Sequence, residues 1–296
     1  MGLISIYEKE LKKMDLETDF VIEDGVLKHY RGDSRKVVIP KGVTAIGKGV
    51  FECHYRLISI KLPEGLIEIG ESAFEGCESL ISINLPESVI GIGDFAFEGC
   101  ESLRSIDLPE GVTSIGESAF ENCESLTSIK IPKGVKEIEN DTFAHCKSLR
   151  SIELSEGLTK IGDFACYDCG SLKSIDLPKV LTEIGKFAFY DCWNLEDIEF
   201  PESVRSIGDE AFSGCISLTS IKLPKGMTEI GNGIFKGCIN LADKQGFVVV
   251  NDVLYDYFGK EQDVKIPSSV KYIDNRAFEG CSHLKNIVAS DHLKPL

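Results

Sequence analysis

A proline returns every 23 residues along this chain. Pro40, Pro63, Pro86, Pro109, Pro132, Pro178, Pro201 and Pro224 share one register, and Ser155 fills its single vacant place. Ten units carry recognisable parts of one pattern, of which Leu85 to Ile106 (LPESVIGIGDFAFEGCESLRSI) is typical. A period of this length marks an array of stacked units rather than a domain packed around one centre. The two-domain prior for 296 residues therefore does not apply.

Each column of the unit has a physical reading. Leu57, Leu80, Leu103, Leu126, Leu149, Leu172, Leu195, Leu218, Leu241 and Leu284 form one column, with Ile60, Ile83, Ile106, Ile129, Ile152, Ile175, Ile198 and Ile221 three places on. Another apolar residue follows at Leu62, Leu85, Leu108 and Ile131, so Ile-x-Leu alternates with period two. That pattern predicts a short strand with one face inward. The proline closes the strand because it cannot donate a ladder hydrogen bond. A second extended piece, Val112-x-x-Ile115-Gly116, repeats at Val89 and Val204. The next stretch, Glu117 to Cys123, has an acidic residue ahead of Ala119 and Phe120. It predicts a single helical or 3₁₀ turn with a charged N-terminus and its Phe inward. No unit can bury its apolar side alone. Stacking buries some side chains worth roughly 1.5–3 kcal/mol apiece before entropy is subtracted. At about 4.8 Å per strand, ten units make a rod on the order of 50 Å long.

The motif I-x-L/I-P-x-x-V-x-x-I-G-x-x-A-F-x-x-C-x-x-L resembles the BspA-like leucine-rich repeats, over about residues 20 to 290. The resemblance implies a repeat solenoid of the leucine-rich type. It is right-handed, with a parallel β-sheet on one face and short turns, or 3₁₀ or helical turns, on the other. It also implies a binding role, since bacterial relatives are commonly surface or secreted proteins that attach to host or extracellular-matrix proteins.

The rhythm breaks twice, at Phe20 to Leu27 (FVIEDGVL) and at Phe247 to Leu254 (FVVVNDVL). These are one module used twice. Asp24-Gly25 and Asn251-Asp252 predict hairpin turns between apolar runs. The organisation expected is a cap over 1–38 with a helix at Ile4 to Leu16, a solenoid over 39–241, and a hairpin insert, last repeat and C-terminal cap over 242–296. A solenoid needs such caps because each open end is a template for unwanted pairing.

Composition excludes several functions. The net charge is -16, which repels phosphate backbones and anionic membrane surfaces, so nucleic acid is not an expected partner. No apolar run of about 18 residues predicts a membrane span. Met1 to Phe20 has no apolar leader core. This leaves either a cytoplasmic protein or a surface protein whose leader lies outside the sequence. Eleven cysteines are present, and Cys77, Cys100, Cys123, Cys146, Cys169, Cys192, Cys215, Cys238 and Cys281 keep one column. Cys166-x-x-Cys169 is the only pair with metal-ligand spacing, and it arises because Cys166 fills a Phe place. A zinc site needs ligands converging on one ion. The column reads instead as small buried thiols at a tight turn, with no metal and no cofactor. The histidines, His29, His54, His145, His283 and His292, have no partner spacing, and His54 and His145 read as exposed loop residues. No nucleophile elbow or phosphate loop appears. The carboxylates follow the repeat and read as a solvated face, so no catalytic site is expected.

Two surfaces remain as binding candidates. The outward strand column is Lys61, Asn84, Asp107, Lys130, Glu153, Asp176, Glu199 and Lys222, beside a row of serines. The turn side is acidic in units with Phe74, Phe97 and Phe120 (Glu71, Glu75, Glu78 and their repeats). Two units later it turns aromatic, with Phe164, Tyr167, Phe187, Tyr190 and Trp193, and Ile216 and Ile239 continue the Trp column. An exposed run of this kind would be an interface. The alternative is that Phe164 and Phe187 tuck into gaps left by Cys166. The reading that follows is a non-enzymatic protein-binding repeat protein, adhesin-like by resemblance. An intracellular scaffold or a self-assembling repeat protein is the alternative, and an enzyme grafted on the rod has no supporting constellation.

Overall fold

The computed structural model describes residues 19–289 and 293–295. The expected helix at Ile4 to Leu16, and His292, lie outside them. The chain forms a parallel β-solenoid of about 11 turns with almost no helix. Each coil contributes three edges. The first is a three-residue strand such as Ser59–Lys61, which pairs in register with Lys36–Val38 before it and Ser82–Asn84 after it. Ile60, Ile83 and Ile106 thus fall in line, buried, with Lys61, Asn84 and Asp107 exposed beside them. The second edge is a two-residue strand. Ile46, Ile69, Ile92 and Ile115 pair in one run, and Ile138, Ile161, Ile184, Ile207 and Ile230 in the next.

The third edge departs from expectation. No helical turn forms over Glu117 to Cys123, because Ser118 and Asn122 have φ of +52° and +57°, whereas a helix needs negative φ throughout. The reason is a third ladder. Ser118 N–H donates to the Asn140 carbonyl at 3.0 Å, Phe120 N–H to Thr142 at 2.9 Å and Asn122 N–H to Ala144 at 2.8 Å. A helix would send these groups along its own axis; the solenoid sends them to the next coil. Each non-glycine left-handed residue costs about 1 kcal/mol or more, and the inter-coil bonds offset it. Among the described residues the one 3₁₀ helix is Ile239–Leu241, at the end of the first array.

Inside, the Phe column stacks. Phe51, Phe74, Phe97 and Phe120 lie 5.3–5.4 Å apart with planes within 7°. Cys166 interrupts the stack, which resumes at Phe189 and Phe212. The cysteine column runs alongside, and its buried thiols reach the carbonyl of the Phe column one coil back, as Cys123 Sγ does to Phe97 at 3.2 Å, with Cys192 reaching Cys166, which stands in a Phe place, at 3.3 Å. Burial pushes the Cys77 thiol up to about 12. These groups are small apolar filler with a weak donor, and they are held as thiols.

The repeated module forms two antiparallel hairpins, Phe20–Glu23 with Val26–Tyr30 and Phe247–Val250 with Val253–Tyr257, each with one bulge. The second is docked on the end of the first array. Gly237 N–H donates to Asp256 Oδ2 at 2.8 Å and Gly233 N–H to Asp274 Oδ2 at 2.7 Å. Arg276 pairs with Glu210 and Lys236 with Glu279 across the same seam. In the first module the places of Tyr255 and Asp256 hold Lys28 and His29, both exposed, whereas Tyr255 and Asp256 are buried. On the second-strand edge the seam is looser. Ile230 is 37% exposed, although Ile69 to Ile207 in its column are all buried.

Candidate interaction surface

The turn edge, just after the second strand, carries the aromatic run. Phe164 and Phe187 stack at 4.9 Å and 8°, and Tyr167 and Tyr190 at 5.1 Å and 7°. Phe164 tilts against Tyr167 at 5.9 Å and Phe187 against Tyr190 at 5.7 Å, so four rings form a two-by-two grid. All four are half-buried. Tyr167 and Tyr190 take the column of Glu75, Glu98 and Glu121. Phe164 and Phe187 stand instead in the column of Ser72, Phe95 and Ser118, one place beyond the acidic column, with φ of +55° and +54°. The grid is a side wall of the coil, fixed by backbone conformation.

Trp193, Ile216 and Ile239 differ from the grid. They are 48%, 45% and 51% exposed and sit in consecutive coils, making an apolar ridge. Trp193 leans back over Gly170, whose missing Cβ would stand 2.9 Å from the indole Cε3. A side chain at residue 170 would displace the ring, so the glycine sets its pose. The ridge ends at Ile239, which lines a pocket of about 700 Å³ at the seam, together with Ala242, Phe247, Phe258 and Val264. Breaks in a regular array are where pockets form. Nothing in the periodicity marked this one, because it exists only where the period fails.

His145 is not a plain exposed loop residue. Its Nδ1 lies 3.1 Å from Asp168 Oδ2, and its ring meets Tyr167 edge-on at 5.2 Å. His54 packs likewise against Phe51 and Tyr30. The first-strand column, from Lys61 and Asn84 through Asp107, Lys130, Glu153, Asp176 and Glu199 to Lys222, is exposed along its whole length. Lys130 pairs with Glu110 at 3.1 Å and approaches Glu153 at 3.9 Å. Alternating charge in water holds little energy, so this face is a weaker candidate than the ridge. On the acidic coils, burial pushes the Glu98 carboxyl up to about 7, with Glu121 and Glu75 adding repulsion. Among the described residues no cluster of three metal-ligating side chains converges, and no helix is long and apolar enough to cross a membrane.

Six copies of the BspA type leucine-rich repeat region match residues 22–149, 113–242 and 249–296. The chain belongs to the BspA-type leucine-rich repeat family. Among solved structures it is similar to a leucine-rich cell surface protein from Faecalibacterium prausnitzii, at 27% identity over 92% of each chain with a TM-score of 0.61. It is also similar to a leucine-rich repeat protein of T. pallidum, at 30% identity over 76% of this chain and 87% of that one, with a TM-score of 0.47. No curated protein sequence matches the chain significantly. Membership of the BspA-type family accounts for the 23-residue unit and the solenoid, and it is consistent with a protein-binding scaffold. Within that scaffold the ridge and the seam pocket belong to this chain's own departures from the repeat.

Proposed function

We propose that this chain is a non-catalytic protein-docking scaffold whose ridge, Trp193, Ile216 and Ile239, anchors the partner, with the Phe164, Tyr167, Phe187 and Tyr190 grid as its rigid wall. One observation carries the reading: three large apolar side chains stand about half exposed in a row where the acidic coils place Glu78, Glu101 and Glu124. A solenoid coil is stable without them, so their apolar area has a role outside the fold. Exposed Trp and neighbouring aliphatics on a rigid support are the composition of binding hot spots. Likeness to a cell surface protein favours display outside the cell, and the BspA-like resemblance of the repeat makes host or extracellular-matrix proteins the partners to test.

The test is capture. Immobilised chain is offered extracellular-matrix proteins, and the Trp193→Ala, Tyr190→Ala double variant is compared with wild type. Retention by wild type and at least tenfold weaker retention by the variant, at an unchanged melting temperature, supports the reading. A large drop in melting temperature makes the rings core, and equal retention moves the interface elsewhere, the first-strand column being next.

A further inference from the structure

We infer that the seam pocket beside Ile239 is a receptor for an extended polypeptide segment of a partner, which adds as a parallel strand to the free edge of Asp263–Lys265. Among the described residues this strand pairs on one side only, with Asn286–Val288. The Gln262 carbonyl accepts from Lys285 N–H at 2.7 Å, and Ile266 N–H donates to the Val288 carbonyl at 2.9 Å. Residues 262, 264 and 266 therefore face that neighbour, and Asp263 and Lys265 turn their main-chain groups the other way. Inside the rod such groups are occupied. The Lys61 carbonyl accepts Ile39 N–H at 3.0 Å, and the Glu153 carbonyl accepts Ile131 N–H at 2.8 Å, each from the preceding coil. Lys265 is in the same column, and among the described residues no preceding coil reaches it. The 700 Å³ pocket lies along this edge, with Asp263, Val264 and Lys265 as one wall.

The occupant follows from size and charge. The ridge leading into the pocket offers about half of three side chains, on the order of 300 Å² of apolar surface. A stable pair of folded proteins needs about 800 Å² per partner, so the site suits a chain segment rather than a second globule. The rim charges balance, with Asp243, Glu261 and Asp263 against Lys244, Lys260 and Lys265. In a chain of net charge -16 this spot repels neither sign. Affinity then comes from main-chain bonds and alternate apolar side chains, as in strand addition.

The proposal extends the docking reading of the ridge, and the two can fail separately. The probe is a fluorescein-labelled peptide with the sequence of residues 124–132 (ESLTSIKIP), which meets such an edge inside the rod. Its twin carries an N-methyl group at the residue equivalent to Ile131, which removes the N–H aimed at the Lys265 carbonyl. Anisotropy with the full chain should show binding of the parent peptide and at least tenfold weaker binding of the twin. Asp263→Pro should weaken the parent to the same degree, since it removes a donor from the free edge while the bonds to Asn286–Val288 stay. Ile216→Asp spoils the ridge and should keep the discrimination between the twins. Equal binding of the twins, no binding by ~1 mM parent peptide, or a chain that dimerises through the pocket and excludes the peptide overturns the proposal. Loss of matrix-protein capture in Ile216→Asp with the twins still distinguished supports both readings. Unchanged capture with the twins distinguished refutes the ridge alone.

Discussion

Gly237 N–H donates to the Asp256 carboxylate at 2.8 Å, and one coil earlier Gly214 N–H donates to the backbone carbonyl of Lys236 at 2.7 Å. A side chain has taken over the bond that the next coil's main chain would have accepted. Asp274 does the same for Gly233. Two carboxylates thus join two stacks whose backbone ladders do not continue into each other.

Asp256→Ala should loosen this seam. It takes the acceptor from the Gly237 N–H across the seam and from the Tyr257 N–H beside it, at a cost of about 1–3 kcal/mol for each group left unpaired. Hydrogen exchange should speed up across 247–288 and stay unchanged across 60–200. Uniform acceleration along the chain would show that the seam and the first array unfold as one unit.

Glu98 should make stability fall as pH rises. Its carboxyl holds the proton to about 7 when folded, against an ordinary value of 4.5. The folded state binds more protons in between, so the contribution is full below 4.5 and is lost as pH climbs through 7. The full shift corresponds to ~3 kcal/mol, and solvent screening of this half-exposed group reduces it to about 1 kcal/mol. Glu98→Gln should match wild type in urea unfolding at pH 4.5 and exceed it by that amount at pH 8. An equal gain at both pH values would assign the effect to packing.

Gly170→Ala should unseat Trp193. The new Cβ would stand 2.9 Å from the indole, and a surface ring can swing away for less than about 0.5 kcal/mol. Trp193 is the only tryptophan, so its emission reports the move directly as a red shift at constant melting temperature. Unchanged emission would mean that the ring is not resting on Gly170.

Thiol titration should divide the cysteines. Cys53 is exposed and Cys281 half-exposed, and the other nine are buried. A native sample should react quickly at Cys53, more slowly at Cys281 and not at the remainder, with all 11 reacting once the chain is unfolded. Rapid native reaction at Cys123, at the middle of the column, would show that the coils part in solution.

The repeat itself determined a great deal. Period-two alternation around Ile60 and the Val112 to Gly116 spacing placed both strand ladders, and the Phe and Cys columns could only be interior, because no unit can bury them alone. The exposure of Trp193, Ile216 and Ile239 was also legible, since acidic residues hold those places in other coils. Tertiary structure alone decided the turn edge. The Asn122 column, with glycine at Gly76, Gly99 and Gly214, does favour left-handed φ, but Ser118 carries no such mark, and there only a hydrogen bond to a coil 22 residues on selects it over a helix. Structure alone also made the pocket and the free edge of Asp263–Lys265. Both arise where stacking is interrupted, and a missing neighbour leaves no pattern in the residues that lack it.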